Sequence, residues 1–189
     1  MNASVIYVTS DTHFNHPRDF LFAPRGFSSC FEHDEQVIKN WNSVVKSNDI
    51  VYHLGDLGMG TDYDYLVNCI NRLNGTIYWI RGNHDGDKKV NALTARCPNL
   101  ICVGYATMVK FRKYHFYLSH FPTVVGNYDD EEKHSKFYCL CGHSHCQDKW
   151  KDFHTMKSYH VELDTTNNFP ISLEQIREEI SKRRKLEEA

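Results

Sequence analysis

Gly82-Asn83-His84-Asp85 stands one residue, Arg81, beyond the apolar and aromatic run Ile77–Ile80. An amide, an imidazole and a carboxylate are thus presented together, with glycine on both sides. Four other places carry similar chemistry: Asp11-x-His13, Gly55-Asp56, the single His120, and Gly142-His143-x-His145. Each element alone is ordinary, because Gly, Asn and Asp all suit turns. Together they supply oxygen and nitrogen donors for two metal ions. Two divalent cations about 3.5–4 Å apart act as a clamp on an in-line displacement. Such a pair needs a shared anionic ligand to offset its own repulsion, and Asp56 is the natural bridging carboxylate. Mixed imidazole and carboxylate donors suit manganese, iron or zinc better than magnesium or calcium. Twelve histidines in 189 residues point the same way, imidazole being the commonest metal ligand.

The surrounding pattern must bring these residues together. Ser4–Thr9 is a β-branched and aromatic run that predicts a strand ending at Ser10-Asp11-Thr12-His13. Ser29 and Glu32 fit a capping box, and Val37, Ile38, Trp41, Val44 and Val45 recur at helical spacing. The stretch DIVYHLGD predicts a second strand. TDYDYLVNCINRLNG predicts a helix closed by Asn74-Gly75, and TIYWIRGNHD a third strand. Strands alternating with helices predict βαβ units and a largely parallel sheet. Ligands in such sheets lie at the carboxyl ends of the strands, where Asp11, His13, Asp56, Asn83 and His84 would then stand. ATMVKF and HFYLSHF, joined near Arg112–Tyr114, predict further strands, as do FYCLCGHSH and SYHVEL. Their close spacing predicts a second, mostly antiparallel sheet. A closing helix starts around Pro170 and Ser172.

The blocks D-x-H, G-D, G-N-H-D, H and G-H-x-H, in this order from Asp11 to His145, resemble the calcineurin-like metallophosphoesterase superfamily. TSDTHFNH, NWNSVV, VYHLGD and LDTTNNFPISLEQI look further like a compact bacterial and phage subgroup. The resemblance implies an α/β fold of two packed mixed β-sheets flanked by helices, in one domain over residues 1–189. It implies that Asp11, His13, Asp56 and His145 hold a first metal, and that Asp56, Asn83, His120 and His143 hold a second. His84 would face the substrate unligated, with Gly82 letting the backbone turn sharply enough to present both neighbours. The implied reaction is phosphate-ester hydrolysis, with a hydroxide held between two divalent ions attacking phosphorus and His84 serving as acid. Manganese is the first choice of metal, with iron, zinc or nickel as alternatives. The expected substrates are phosphodiesters, nucleotides or other small phosphate esters. The alternative is a scaffold or binding module of the same fold without turnover; the intact ligand set favours the enzyme.

Other residues have two readings each. His16 either touches substrate or the ligands' surroundings, or is a surface loop histidine. Asp85 either orients a ligand or completes a turn. Arg25 either grips a phosphate or, the favoured reading, is a solvated surface arginine. His53 has no assigned role. Cys139, Cys141, Cys146 and the two neighbouring histidines suggest a structural zinc site, but they lack the paired Cys-x₂-Cys spacing such modules commonly use. Lys182–Lys185 suit a helix carboxyl end, and no dedicated nucleic-acid-binding region is evident. A net charge of −2, 41% hydrophobic and 24% charged residues fit a globular chain. No apolar run reaches the roughly 18 residues of a membrane span. With no secretion signal, seven cysteines read as free thiols in a reducing cytoplasm. Oligomeric state is not legible.

Overall fold

The computed structural model describes residues 3–124 and 136–187. Two mixed sheets are flanked by helices. The first has strand order β4-β3-β2-β1-β9, from β1 (Ile6–Thr9), β2 (Ile50–His53), β3 (Thr76–Ile80), β4 (Leu100–Gly104) and β9 (Ile171–Ser172). β1 to β4 run parallel, and β9 is antiparallel to β1. The helices α2 (Cys30–Val44), α3 (Tyr63–Asn71) and α4 (Asp87–Thr94) make the connections that parallel strands require.

Alternation along the strands divides two cores. Val51, Ile77 and Trp79 pack with Trp41 of α2, Ile70 of α3 and Leu93 of α4. Val8, Leu54 and Ile80 pack with Phe116, Leu118 and Leu140 of the second sheet. The last helix, α6 (Leu173–Glu187), adds Ile176 and Ile180 to that inter-sheet core. All of these side chains are at most 4% exposed.

The second sheet has order β5-β6-β7-β8, from β5 (Ala106–Phe111), β6 (Tyr114–Ser119), β7 (Phe137–Cys141) and β8 (Ser158–His160). The β5–β6 hairpin is antiparallel, but β6–β7 and β7–β8 are parallel. The mostly antiparallel sheet expected from close spacing is therefore corrected. The β7–β8 link includes a short helix, α5 (Phe153–Met156), and is long enough to cross over. Parallel pairing brings β7 to its end beside β6, so His120 and His143 emerge together. The helix α4 and the strand β4 were not anticipated either, and neither was the short helix α1 (Asp19–Phe22).

Ser29 caps α2, its Oγ accepting from Glu32 N at 3.1 Å, although the Glu32 carboxylate reaches Ser28 N rather than closing the box on Ser29. Ser172 and Gln175 do form a reciprocal cap before α6. Among the described residues no helix is long and apolar enough to cross a membrane, and all seven cysteines are free.

Candidate metal centre

The parallel ladder of β1 and β2 continues past the strands. Leu54 N donates to Thr9 O, Asp11 N to Gly55 O and His13 N to Asp56 O, at 2.8, 3.0 and 3.0 Å. Two loops that would otherwise be independent are thereby locked together. His53 completes the lock. Gly55 N donates to its Nδ1 at 3.3 Å, which leaves Nε2–H for Thr12 Oγ1 at 2.9 Å, and the Thr12 hydroxyl donates onward to Leu57 O. Burial pushes the His53 pKa down to about 3, so the ring is neutral.

Five of the expected ligands, Asp11, His13, Asp56, His143 and His145, have positive φ, between 47° and 73°. Non-glycine residues avoid this left-handed region unless their surroundings over-determine it. The close approach of chains at motif glycines explains part of the constraint. Gly82 does not have positive φ; the expected sharp turn is not its role. A Cβ there would overlap Asp56 Oδ1 and come within 2.7 Å of Asp56 N. A Cβ on Gly142 would overlap Asp11 Oδ2 and Ser10 Oγ.

The side chains form two adjoining groups. In the first, His13 Nε2 lies 3.5 Å from Asp11 Oδ1, 3.1 Å from His145 Nε2 and 3.7 Å from Asp56 Oδ2. In the second, His120 Nε2 lies 3.5 Å from the same Asp56 Oδ2, 2.9 Å from Asn83 Oδ1 and 3.2 Å from His143 Nδ1. The groups Asp11–His13–His145 and Asp11–Asp56–His120 each have donor atoms close enough for one ion.

Hydrogen bonds elsewhere fix which ring atoms face inward. His120 Nδ1–H donates to Leu54 O at 2.9 Å, and His145 Nδ1–H to Asp164 Oδ2 at 3.1 Å. In the neutral rings both Nε2 atoms therefore bring lone pairs to atoms that also carry lone pairs, an arrangement a cation relieves. Asp11 Oδ1 is buried with no hydrogen-bond partner among the described residues. Burial pushes the Asp11 carboxyl up, but the close imidazole of His13, with those of His120 and His145, outweighs that and holds it well below the usual carboxylate range. Burial also pushes His13 and His143 down, favouring the neutral, ligating ring.

His84 stands apart at the mouth. Its side chain is 44% exposed, with Nε2 3.9 Å from Asp56 Oδ2, while its backbone N donates to Asp56 Oδ1 at 2.9 Å. Asp85 orients the site through the backbone: its Oδ2 accepts from Asp56 N, Gly82 N and Trp79 Nε1, at 2.7, 2.9 and 3.2 Å. His16 is buried rather than a surface residue, its ring 5.6 Å from that of His13. Arg25 is also buried, which corrects the favoured reading of a solvated surface arginine. Its guanidinium donates to Asp11 O at 2.8 Å and to both oxygens of Asp164, and touches His33 Nε2 at 3.1 Å. His33 Nδ1–H in turn meets Asp34 Oδ1 at 2.8 Å, and Asp34 Oδ2 accepts from Asn15 N. Sequence reasoning missed Asp164, His33 and Asp34. The only signal was an Asp inside the LDTTNN block, with nothing to tie it to His145.

A model of the calcineurin-like phosphoesterase family matches residues 4–185. An uncharacterized protein of Methanocaldococcus jannaschii is 33% identical over 184 residues, 93% of this chain and 91% of that one. The gene 66 protein of Mycobacterium phage L5 is 29% identical over 161 residues, 74% of this chain and 76% of that one. A solved structure of a protein of unknown function from Aquifex aeolicus superposes with a TM-score of 0.70 at 21% identity, covering 93% of this chain and 99% of that one. This last likeness concerns the fold alone.

Proposed function

The chain belongs to the calcineurin-like phosphoesterase family, and from that premise we propose that it hydrolyses phosphate esters, phosphodiesters or nucleotides, with two divalent cations. One atom carries the reading. Asp56 Oδ2 lies 3.7 Å from His13 Nε2 and 3.5 Å from His120 Nε2, the position of a ligand common to both groups. Asp11, His13, Asp56 and His145 would hold one ion, and Asp56, Asn83, His120 and His143 the other. The partnerless Asp11 Oδ1 and the inward lone pairs of His120 and His145 fit that occupancy. Manganese suits the mixed donors; iron, zinc and nickel are the alternatives.

When bound, the cation pair supplies an acidified water and positive charge for the phosphoryl oxygens. The protein's own groups do the rest. Asp85 and Gly82 fix Asp56 through its backbone and the space beside it. His84, half in solvent, is placed to give a proton to the leaving oxygen or to stabilise charge on the phosphoryl group. It borders an open cleft of about 540 Å³ lined also by Met59, Thr61, Tyr63 and Lys88, room for a leaving group. Phe20 is 65% and Phe121 49% exposed, packed edge-on against His16 and His143. Exposed aromatic faces beside the centre favour a flat leaving group such as a nucleobase.

The test is hydrolysis of bis-p-nitrophenyl phosphate and p-nitrophenyl phosphate by metal-stripped protein, with manganese, nickel, zinc or magnesium added back. Metal-dependent cleavage with preference for the diester is expected. Normal metal binding without cleavage of either ester would favour a binding module.

A further inference from the structure

The segment Gly142–Cys146 sends alternate residues to opposite sides. His143 and His145 face the two-ion centre. Ser144 and Cys146 face away from it, towards β8 and Glu162. There Cys146 Sγ lies 3.4 Å from Glu162 Oε1, and His160 Nδ1 lies 3.2 Å from the same oxygen. Ser144 Oγ is 3.0 Å from Glu162 Oε1 and 3.2 Å from His160 Nδ1. Thiol, imidazole and carboxylate atoms thus surround one point at ligand–ligand spacing.

We propose that Cys146, His160 and Glu162 form a third metal site, separate from the phosphoesterase centre, that takes zinc. Three features support it. The donors are those zinc accepts, and one thiolate with one carboxylate balances its charge. The face of His160 away from the site is held by a carboxylate, Nε2 meeting Asp152 Oδ2 at 3.0 Å, which aims Nδ1 at the site as metal-bound histidines are usually aimed. Finally, Glu162 is 0% exposed: its Oε1 meets Cys146, Ser144 and His160, and the second oxygen of the same carboxylate, Oε2, has no hydrogen-bond partner among the described residues. A buried carboxylate oxygen left without a donor is costly unless a cation serves it. The half-buried Cys146 gives the ion a way in and must lose its proton to bind.

This is not the zinc module suggested by CLCGHSHC. Cys139 and Cys141 are buried in β7, and His143 and His145 belong to the other centre. The ion would clamp the segment bearing His143 and His145 to Glu162, two residues before Asp164, which orients His145. Its role is to stiffen the ligand loop of the neighbouring centre.

Cobalt distinguishes the two centres, because only this one contains a thiolate. Metal-free protein titrated with Co²⁺ should show a sulfur-to-cobalt charge-transfer band in the near ultraviolet. The band should persist in Asp56→Asn, where the phosphoesterase centre is damaged, and disappear in Cys146→Ser. Bound zinc should fall by one equivalent in Cys146→Ser. A second readout needs no variant: zinc should slow alkylation of Cys146 at least tenfold, as mapped by mass spectrometry, and a chelator should restore it. Absence of the band in the wild type, its survival in Cys146→Ser, or unchanged alkylation would overturn the proposal and leave Asp152–His160–Glu162 as an ion-paired chain only.

Discussion

Asp164 accepts the Nδ1–H of His145 at 3.1 Å, across a gap of 19 residues, and so decides which ring nitrogen faces the candidate metal centre. Arg25 holds Asp164 in place, Nη2 to Oδ2 at 2.7 Å. Burial works against charge on both partners, but their mutual contact wins: His145 is raised above its ordinary pKa and Asp164 held well below the carboxylate range. Asp164→Asn should weaken metal binding about 10–100-fold, the usual cost of losing such a supporting group. Calorimetric titration of metal-free protein checks this. Unchanged affinity would mean that the ring is oriented by packing alone.

His84 approaches Asp56 but is half exposed and has no role in either donor group. His84→Ala should therefore lower turnover by about 10²–10⁴, as loss of a general acid does, while metal content stays at the wild-type value. Elemental analysis beside steady-state rates separates the two effects. A variant that loses its metals would place His84 among the ligands.

Gly82→Ala should damage the centre without touching a donor. Its Cβ would overlap Asp56 Oδ1, and the carboxylate is hemmed in by His84 N. Overpacking of this kind costs roughly 1–3 kcal/mol, so the variant should fold with a lower Tm and lose activity more than stability. Wild-type turnover in Gly82→Ala would show that Asp56 has room to move.

His53 should make the metal-free protein acid-sensitive. Its pKa is pushed from 6.5 to about 3 by burial. Between those values the unfolded chain binds a proton that the native state does not, so stability falls as pH drops from about 6.5 towards 3. The loss is up to about 1.4 kcal/mol per pH unit. Urea denaturation across this window should give a steeper wild-type slope than His53→Gln. Parallel slopes would mean that His53 is protonated in the fold.

Much of this centre was legible because its donors sit at strand ends, in short blocks with glycine. Asp11, Asp56 and His84 follow β1, β2 and β3, whose apolar runs were plain. What was hidden acts across the chain. Asp164 reaches His145 and Arg25, the latter 139 residues away, and no local period records such a contact. Arg25 looked solvated because its loop carries no apolar stripe, yet two carboxylate oxygens and a backbone carbonyl are enough to bury it. The strand β4 was missed because of its residues only Leu100 is buried in the core, so the alternation is faint. The parallel pairing of β6, β7 and β8 is hidden because close spacing along the chain is equally compatible with hairpins.

The central claim is that the Asp56 carboxylate would be shared by two ions. Electron paramagnetic resonance of manganese-loaded protein tests it most directly, in a Cys146→Ser background so that the thiolate site does not contribute. The account predicts the exchange-coupled spectrum of a bridged pair, replaced by the signal of isolated ions in Asp56→Asn. An uncoupled spectrum at two equivalents of bound manganese, or the same coupled spectrum after that substitution, would contradict it.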